Sequence, residues 1–257
     1  MKELLKYNGK IYTQNDLIEA LVKLDIQKGD IVCSHSEIYG FGTPLLPIKD
    51  FLNALLECIF EVIGKEGTFI MPTFTYSFCK NEIYNKVNSK CTVGALNEFF
   101  RKQQGVKRTN DPIFSFAVKG ANEKLFLNKE QKSCFDENCA YAILTQNNGK
   151  ILNFGNDGCF TFIHYPEEVY QISYRYNKNF HGIIIDENGK KYQKNINYFV
   201  RKEGQFPIEK KIQDFLIQNK NYKQISFGGK TISLYCCKQA FEDFLNIFNI
   251  DQNYFLN

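Results

Sequence analysis

A histidine and a glutamate lie three residues apart in the segment Thr161–Glu167, which reads Thr-Phe-Ile-His-Tyr-Pro-Glu. Residues i and i+3 share one face of a helix, so the imidazole of His164 can meet the carboxylate of Glu167. A carboxylate that fixes the histidine tautomer creates a general base, because histidine titrates near neutral pH. Asp157 offers a second carboxylate shortly before the pair. A solvated helix face or a structural histidine is the commoner explanation of an isolated His-x-x-Glu.

The residues around this pair predict how it is positioned. An apolar run, Lys150–Phe154, indicates a strand that ends at Gly155. Proline is tolerated in the first turn of a helix, so Pro166 places His164 and Glu167 at a helix start. The pair is therefore predicted to follow the carboxyl end of a strand, where open α/β sheets bind their ligands.

Three further segments place hydroxyl or cationic side chains just after a predicted strand or loop. His35 and Ser36 end the segment Gly29–Ser36, and backbone N–H groups with a hydroxyl at such a junction can hold phosphate or amide oxygens. Ser36 could equally cap a turn. Met71 and Pro72 end another strand, and the hydroxyls that follow could bind a ligand or satisfy the turn; they belong to Thr73 and Thr75.

The segment Gly105–Ser115 carries the remaining candidates. Arg108 could pair with a phosphate of a ligand or form a buried structural pair with Asp111. Ser115 lies on the next predicted strand, where a small hydroxyl suits the close approach of a cofactor or simply fills the core.

Strand and helix patterns alternate over the first two-thirds of the chain and predict a layered α/β domain. Thr13 and Asp16 form a capping-box pattern before a helix, and Pro47 begins a second helix that stops at Gly64. A third helix is predicted to start at a Thr92 cap. The C-terminal part predicts a β-hairpin around Glu187-Asn188-Gly189, then two helices and two short strands, as an α+β subdomain on the same sheet.

Composition excludes several classes of protein. The 257 residues contain no apolar run long enough for a membrane span, and a net charge of +4 argues against a dedicated nucleic-acid surface. Nine irregularly spaced cysteines predict a reduced cytoplasmic protein without a metal site. The stretch from residue 175 to residue 251 contains 13 Lys and Arg but only 8 Asp and Glu. This positive excess favours an anionic ligand or a solvated lysine-rich face.

The order and spacing of the four segments resemble the aminoglycoside 3-N-acetyltransferase family, whose fold differs from that of the GNAT acetyltransferases. The resemblance implies one domain over residues 1–257, an α/β/α sandwich with a central mixed sheet. Residues 1–168 would form the catalytic core that binds coenzyme A (CoA), and residues 169–257 would shape the acceptor site. It implies acetyl-CoA as donor, an amino sugar as acceptor, no metal, and a monomer or homodimer.

The same resemblance implies a role for each candidate residue. His164 would be the general base, with Glu167 or Asp157 orienting its imidazole. The contacts with the cofactor would come from His35, Ser36, Thr73, Thr75, Arg108 and Ser115. Two departures from the family pattern predict a changed acceptor: Glu37 stands where a second serine is usual, and Glu137–Ala140 replaces a Gly-x-x-Ser-Pro segment.

Four hypotheses about activity follow. The first is N-acetylation of a nucleotide-linked amino sugar for a surface glycan, favoured by the basic C-terminal stretch. The second is N-acetylation of an aminoglycoside antibiotic, which would confer resistance. The third is a CoA- or sugar-binding paralogue without catalysis, against which the intact His164 and Glu167 pair argues. The fourth is a cysteine-dependent hydrolase or acyl carrier that uses Cys159 with His164.

Overall fold

A computed structural model of the chain describes residues 2–127, 129–156 and 160–256. Within these ranges the chain forms thirteen strands and seven α-helices. The strands are β1 (Glu3–Tyr7), β2 (Lys10–Thr13), β3 (Ile31–Ser36), β4 (Thr43–Pro44), β5 (Thr68–Pro72), β6 (Tyr84–Asn85), β7 (Lys107–Arg108), β8 (Phe116–Gly120), β9 (Lys150–Phe154), β10 (Arg175–Ile185), β11 (Lys191–Arg201), β12 (Lys223–Phe227) and β13 (Lys230–Cys236). The helices are α1 (Gln14–Lys23), α2 (Ile48–Ile63), α3 (Ala95–Arg101), α4 (Ala140–Gln146), α5 (His164–Tyr170), α6 (Glu209–Gln218) and α7 (Cys237–Ile250).

The largest sheet has seven strands in the order β12-β13-β9-β3-β5-β8-β7. Its central strand, β3, runs parallel to β5 and β9, whereas the outer strands are antiparallel to their neighbours. This arrangement confirms the predicted central mixed sheet. β12 and β13 come from the C-terminal part of the chain and join the sheet through β9, so this part shares the sheet as predicted. The predicted β-hairpin does not join it, because its two strands, β10 and β11, form a separate three-stranded sheet with β6.

Helices cover both faces of this sheet. Successive side chains of a strand point to opposite faces, so neighbouring residues belong to two separate apolar clusters. Val32 and Phe69 pack in a cluster with residues of α1, α2 and α3. Cys33 and Ile70 pack in the other cluster with residues of α4 to α7. The molecule is therefore the predicted α/β/α sandwich, and β3 and β5 are almost wholly buried because both of their faces are covered.

The helix boundaries follow the local sequence signals in two cases and depart from them in a third. α1 begins after Thr13, and its capping box with Asp16 has both reciprocal hydrogen bonds. α2 begins directly after Pro47 and ends at Gly64. The predicted Thr92 cap is wrong: α3 starts two residues later, after Gly94, because the Thr92 hydroxyl instead donates to the carbonyl of Phe74 at 3.0 Å.

A long β-hairpin, β10 and β11, extends the C-terminal part. Its eleven residue pairs keep one continuous register from Ile185 opposite Lys191 to Arg175 opposite Arg201. Gly189 lies in the turn with φ of 82°, the positive φ that an Asn-Gly dipeptide supplies to a tight turn. The hairpin thereby brings the chain back to α5. Its base places two arginines, Arg175 and Arg201, beside the start of that helix.

Candidate active site

The carboxyl ends of three strands meet at one edge of the sheet. Because β3 is parallel to both β5 and β9, their last residues lie side by side, with His35 opposite Asn153 in the β3–β9 pair. α5 follows β9 along the chain and starts at His164. Gly155, which ends β9 with φ of 75°, approaches the backbone of Glu37 so closely that a Cβ there would clash. The first and fourth sequence segments are therefore neighbours in space.

His164 and Glu167 lie one turn apart at the start of α5, as predicted from Pro166 between them. The Nδ1 atom of His164 is 3.1 Å from Oε2 of Glu167, and both side chains are buried. The hydroxyl of Tyr174 donates to the other carboxylate oxygen of Glu167 at 2.6 Å. Both oxygens of Glu167 are therefore engaged, and the carboxylate is held in a fixed orientation towards the imidazole.

Two arginines from the base of the hairpin flank the imidazole. Nη2 of Arg175 lies 2.6 Å from Oε2 of Glu167 and 2.7 Å from Nδ1 of His164. Nη2 of Arg201 lies 3.2 Å from Nε2 on the other side of the ring. A guanidinium can only donate hydrogen bonds and a carboxylate can only accept them. Nδ1 lies near both kinds of group, Glu167 and Arg175, whereas among the described residues Nε2 faces the guanidinium of Arg201. We therefore assign the ring proton to Nδ1, from which Glu167 accepts it. This tautomer leaves the lone pair of His164 on Nε2.

Burial and charge together keep His164 neutral. Burial, followed by the positive charge of Arg175, lowers the pKa of His164 to about 3, and Arg201 acts in the same direction. Burial alone would raise the pKa of Glu167, but the charge of Arg175 and the hydrogen bond from His164 hold that pKa below its usual value. At neutral pH the pair is therefore an imidazole with an unprotonated Nε2 beside an ionised carboxylate, which is the protonation state of a general base.

His35 and Ser36 lie at the same edge with different partners. Nε2 of His35 is 3.1 Å from the hydroxyl of Tyr141, and the two rings are stacked. The hydroxyl of Ser36 is 2.6 Å from Oδ1 of Asn97, whose side-chain amide donates to the carbonyl of Pro72 at 2.7 Å. This chain of contacts joins the carboxyl ends of β3 and β5.

Thr73, Ser115 and Arg108 form one buried network. The Thr73 hydroxyl is 3.1 Å from the carbonyl of Ser115, and Nε of Arg108 donates to the hydroxyls of both residues at 3.1 Å. The rest of the guanidinium bonds the carbonyls of Thr73, Lys86 and Ser89. The carboxylate of Asp111 instead accepts from backbone N–H groups of Ile113 and Phe114. Arg108 is thus satisfied by backbone and hydroxyl groups rather than by Asp111.

Thr75 lies just beyond this network and connects its own loop to the loop between β7 and β8. Its hydroxyl donates to the carbonyl of Pro112 at 2.8 Å and accepts from Ser77. Asp157 and Cys159 lie outside the described residues. In the part of the chain that the structure describes, no group of three metal-ligating side chains converges, and no helix has the length and apolar character needed to cross a membrane.

Sequence reasoning did not single out Arg175, Arg201, Tyr174 or Tyr141. A signal for the arginines was present, since the Asn188-Gly189 turn defines the centre of a hairpin and counting outward from it pairs Arg175 with Arg201. Their approach to His164 depends on the packing of the hairpin against α5, which no local pattern encodes.

Comparison with known proteins agrees with this architecture. The model of the aminoglycoside 3-N-acetyltransferase family matches residues 35–248. The SPbeta prophage-derived aminoglycoside N(3')-acetyltransferase-like protein YokD of Bacillus subtilis (strain 168) is 24% identical over 151 residues, which are 50% of this chain and 54% of YokD. The alignment thus spans about half the length of that curated relative.

Two solved structures have the same fold. AAC-IIIb in a binary complex with CoASH has a TM-score of 0.80 and 18% identity, and the match covers 93% of this chain and 97% of that one. AAC-VIa bound to sisomicin has a TM-score of 0.80 and 18% identity, with coverage of 93% and 98%. Because the family model spans most of the chain, this protein belongs to the aminoglycoside 3-N-acetyltransferase family.

Proposed function

We propose that the protein is an acetyl-CoA-dependent N-acetyltransferase that acylates an amine of an amino sugar, with His164 as general base. The observation that carries the proposal is the buried pair at the start of α5, in which Glu167 accepts from Nδ1 and the lone pair lies on Nε2 of His164. The family supports the type of reaction, and a structural relative solved with CoASH supports the donor.

In this mechanism the neutral amine attacks the thioester carbonyl directly, so the chain needs no nucleophile of its own. A C–N bond forms, and Nε2 of His164 takes the proton that the nitrogen loses. Glu167 keeps the imidazole in the Nδ1–H tautomer and stabilises the imidazolium while it exists. The C–S bond then breaks, and the proton passes from Nε2 to the departing thiolate. Asp157 remains proposed as a second orienting group.

The proposed cofactor contacts remain the edge residues predicted from the sequence. Ser36 ends β3, Thr73 follows β5, and Ser115 precedes β8, which is antiparallel to β5. Their hydroxyls lie at one edge of the sheet and would suit the amides of a pantetheine arm. Arg108 borders a cavity of about 1210 Å³ whose other cationic side chains would attract the phosphates of CoA. Those side chains belong to Lys86, Lys90, Arg101, Lys102, Lys107 and Lys124. His35 and Thr75 complete the proposed set.

Aminoglycosides are the first acceptors to test. The matched family is described as aminoglycoside 3-N-acetyltransferase, and one structural relative was solved with sisomicin bound. These comparisons favour the antibiotic over the nucleotide-linked amino sugar that the sequence alone suggested. The nucleotide-linked acceptor remains the second candidate, because the base of the hairpin brings two guanidinium groups, of Arg175 and Arg201, to the imidazole of His164.

A thiol-release assay with acetyl-CoA tests the proposal. We expect release in the presence of sisomicin, gentamicin or a nucleotide-linked amino sugar, and loss of release in the variant His164→Gln. Alkylation of the cysteines with activity retained would eliminate the hydrolase that uses Cys159. Binding of CoA by calorimetry without transfer to any amine would reject the enzyme and leave the non-catalytic paralogue.

A further inference from the structure

Arg201 is a cation beside the proposed base that the acetyl transfer itself does not use. Its Nη2 donates a hydrogen bond to the lone pair on Nε2 of His164 at 3.2 Å. Its Nε is buried without a hydrogen-bond partner among the described residues. Within the described part of the chain, Arg201 forms no ion pair with a carboxylate, whereas the neighbouring Arg175 pairs with Glu167 at 2.6 Å. Arg201 therefore has donor capacity and positive charge that the described residues leave unmatched.

The register of the hairpin places a second positive charge beside that of Arg201. Arg175 lies directly opposite Arg201, and like charges in that position destabilise an antiparallel pair. One ionised carboxylate, Glu167, faces both guanidinium groups. Glu168 follows it on α5, but burial raises the pKa of Glu168 to about 7, so this acid carries only part of a charge at neutral pH. The described side chains around His164 thus sum to a net positive charge.

Entry of an acceptor would break the one side-chain hydrogen bond that Arg201 makes to the described residues of the site. The attacking amine must reach Nε2 of His164, and the N–H of Arg201 now points at that atom. A partly buried guanidinium that loses its acceptor is costly unless another one replaces it. Oxygens of a phosphate or a carboxylate match the fork of an arginine better than any neutral group.

We propose that Arg201 binds an anionic group, a phosphate or a carboxylate, that the acceptor carries close to the amine to be acetylated. This inference rests on the proposed function and, within it, places the anionic acceptor ahead of the aminoglycosides that the comparisons favour. Neutralising Arg201 would also strengthen the base, because its positive charge is one of the causes that lower the pKa of His164. A polycationic acceptor would bring neither effect, so Arg201 selects anionic amino sugars over purely cationic ones.

Equilibrium binding to the CoA-loaded protein tests the inference without requiring turnover. The ligands are glucosamine, glucosamine 6-phosphate and muramic acid, which share the amine and differ in carrying no anion, a phosphate or a carboxylate. We expect at least one anionic sugar to bind about 10–100-fold more tightly than glucosamine. This preference should disappear in Arg201→Gln and persist in Lys202→Gln, which removes an exposed neighbouring cation. Thermal melting confirms that both variants are folded.

The result also distinguishes phosphate from carboxylate, according to which anionic sugar the wild-type protein prefers. Equal affinity for all three sugars in the wild-type protein, or an anion preference that survives in Arg201→Gln, would overturn the inference.

Turnover, measured in parallel, separates this inference from the proposed function. If Arg201→Gln loses the anion preference but no variant transfers an acetyl group to any amine, Arg201 binds the anion and the proposed enzyme is wrong. If the wild-type protein acetylates sisomicin and Arg201→Glu does not improve kcat/KM for that polycation, the enzyme stands and the role of Arg201 is wrong.

Discussion

Arg108 and Arg201 both place a guanidinium near the carboxyl edge of the sheet, and they differ in what their N–H groups contact. Arg108 donates to two hydroxyls and three carbonyls of four residues in three parts of the chain. Arg201 makes one contact with an imidazole, lies 5.8 Å from the exposed ring of Phe206, and leaves its Nε unpaired. The first guanidinium joins loops together, and the second has capacity left for a ligand.

The contrast shows that burial alone does not separate a structural cation from a functional one. Arg108 is 6% exposed and compensated by neutral dipoles, so its removal would take the donor from the carbonyls of Lys86 and Ser89. Arg201 is less buried, and its removal would leave no described carbonyl unpaired. The number of satisfied donors is therefore the better guide, and the following experiments test it.

The largest effect is expected at the imidazole that Arg201 contacts. We expect His164→Gln to lower kcat for acetyl transfer by about 10²–10⁴-fold, because the amine then loses its proton acceptor. Steady-state thiol release measures the loss. His181→Gln, on an exposed position of β10, is the matched control and should keep wild-type turnover. Full activity in His164→Gln would mean that the reactive centre lies elsewhere.

Next in size is the loss of stability when the saturated arginine is removed. Arg108→Leu should lower the free energy of unfolding by about 2–4 kcal/mol, since it removes the donor to the carbonyls of Lys86 and Ser89 and leaves the Thr73 carbonyl with only the Ser115 hydroxyl. Arg201→Gln should cost less than about 1 kcal/mol. Urea unfolding at pH 7.5 compares the two variants directly. Equal losses of unfolding free energy in the two variants would contradict the assignment of Arg108 as structural and Arg201 as available to a ligand.

A smaller effect concerns the charge balance beside the hairpin. Oε2 of Glu168 is buried without a hydrogen-bond partner, and burial raises the pKa of this carboxyl to about 7. The folded state therefore holds its proton more tightly than the unfolded chain, and stability is lost as the pH rises from about 4.5 to 7.

We expect Glu168→Gln to remove this loss and to gain about 1–3 kcal/mol at pH 8. At pH 4, where both states are protonated, the variant should gain almost nothing. Thermal melts across the pH range supply the measurement. A gain that is independent of pH would show that folding leaves the pKa of Glu168 unchanged.

The smallest effect is expected at the other histidine of the sheet edge. Tyr141→Phe removes the hydroxyl 3.1 Å from Nε2 of His35 and should lower the free energy of unfolding by about 0.5–1.5 kcal/mol. Its effect on KM for acetyl-CoA tests whether His35 contributes to the cofactor site. If both the stability and the KM for acetyl-CoA were unchanged, the contact between Tyr141 and His35 would contribute neither to folding nor to cofactor binding.

The fold was predictable where the signals are local or periodic. The capping box of Thr13 and Asp16, the stop at Gly64 and the turn at Gly189 each act within a few residues, and all three are confirmed. The Thr92 cap failed because a carbonyl from a distant loop competed for its hydroxyl. Strand order and the placement of the hairpin depend on contacts between remote segments, which local patterns do not contain.

The candidate site divides in the same way. The meeting of His164 with Glu167 follows from helical spacing and from Pro166, and the structure shows it. The surroundings of the imidazole do not follow from spacing, because Arg175 and Arg201 reach it only after the hairpin has packed on α5. Charge counting over the C-terminal stretch detected an excess of cations but could not say which of them face the base.

The unbroken register of β10 and β11 fixes the position of the Arg201 side chain relative to His164. Side chains alternate between the two faces of a strand, so inserting one residue in β11 between the turn and Arg201 would turn this side chain away from His164. Insertions confined to the turn at Gly189 would leave the pairing intact. Homologues are therefore expected to vary freely at the hairpin tip, while length changes within either strand should accompany a change of acceptor.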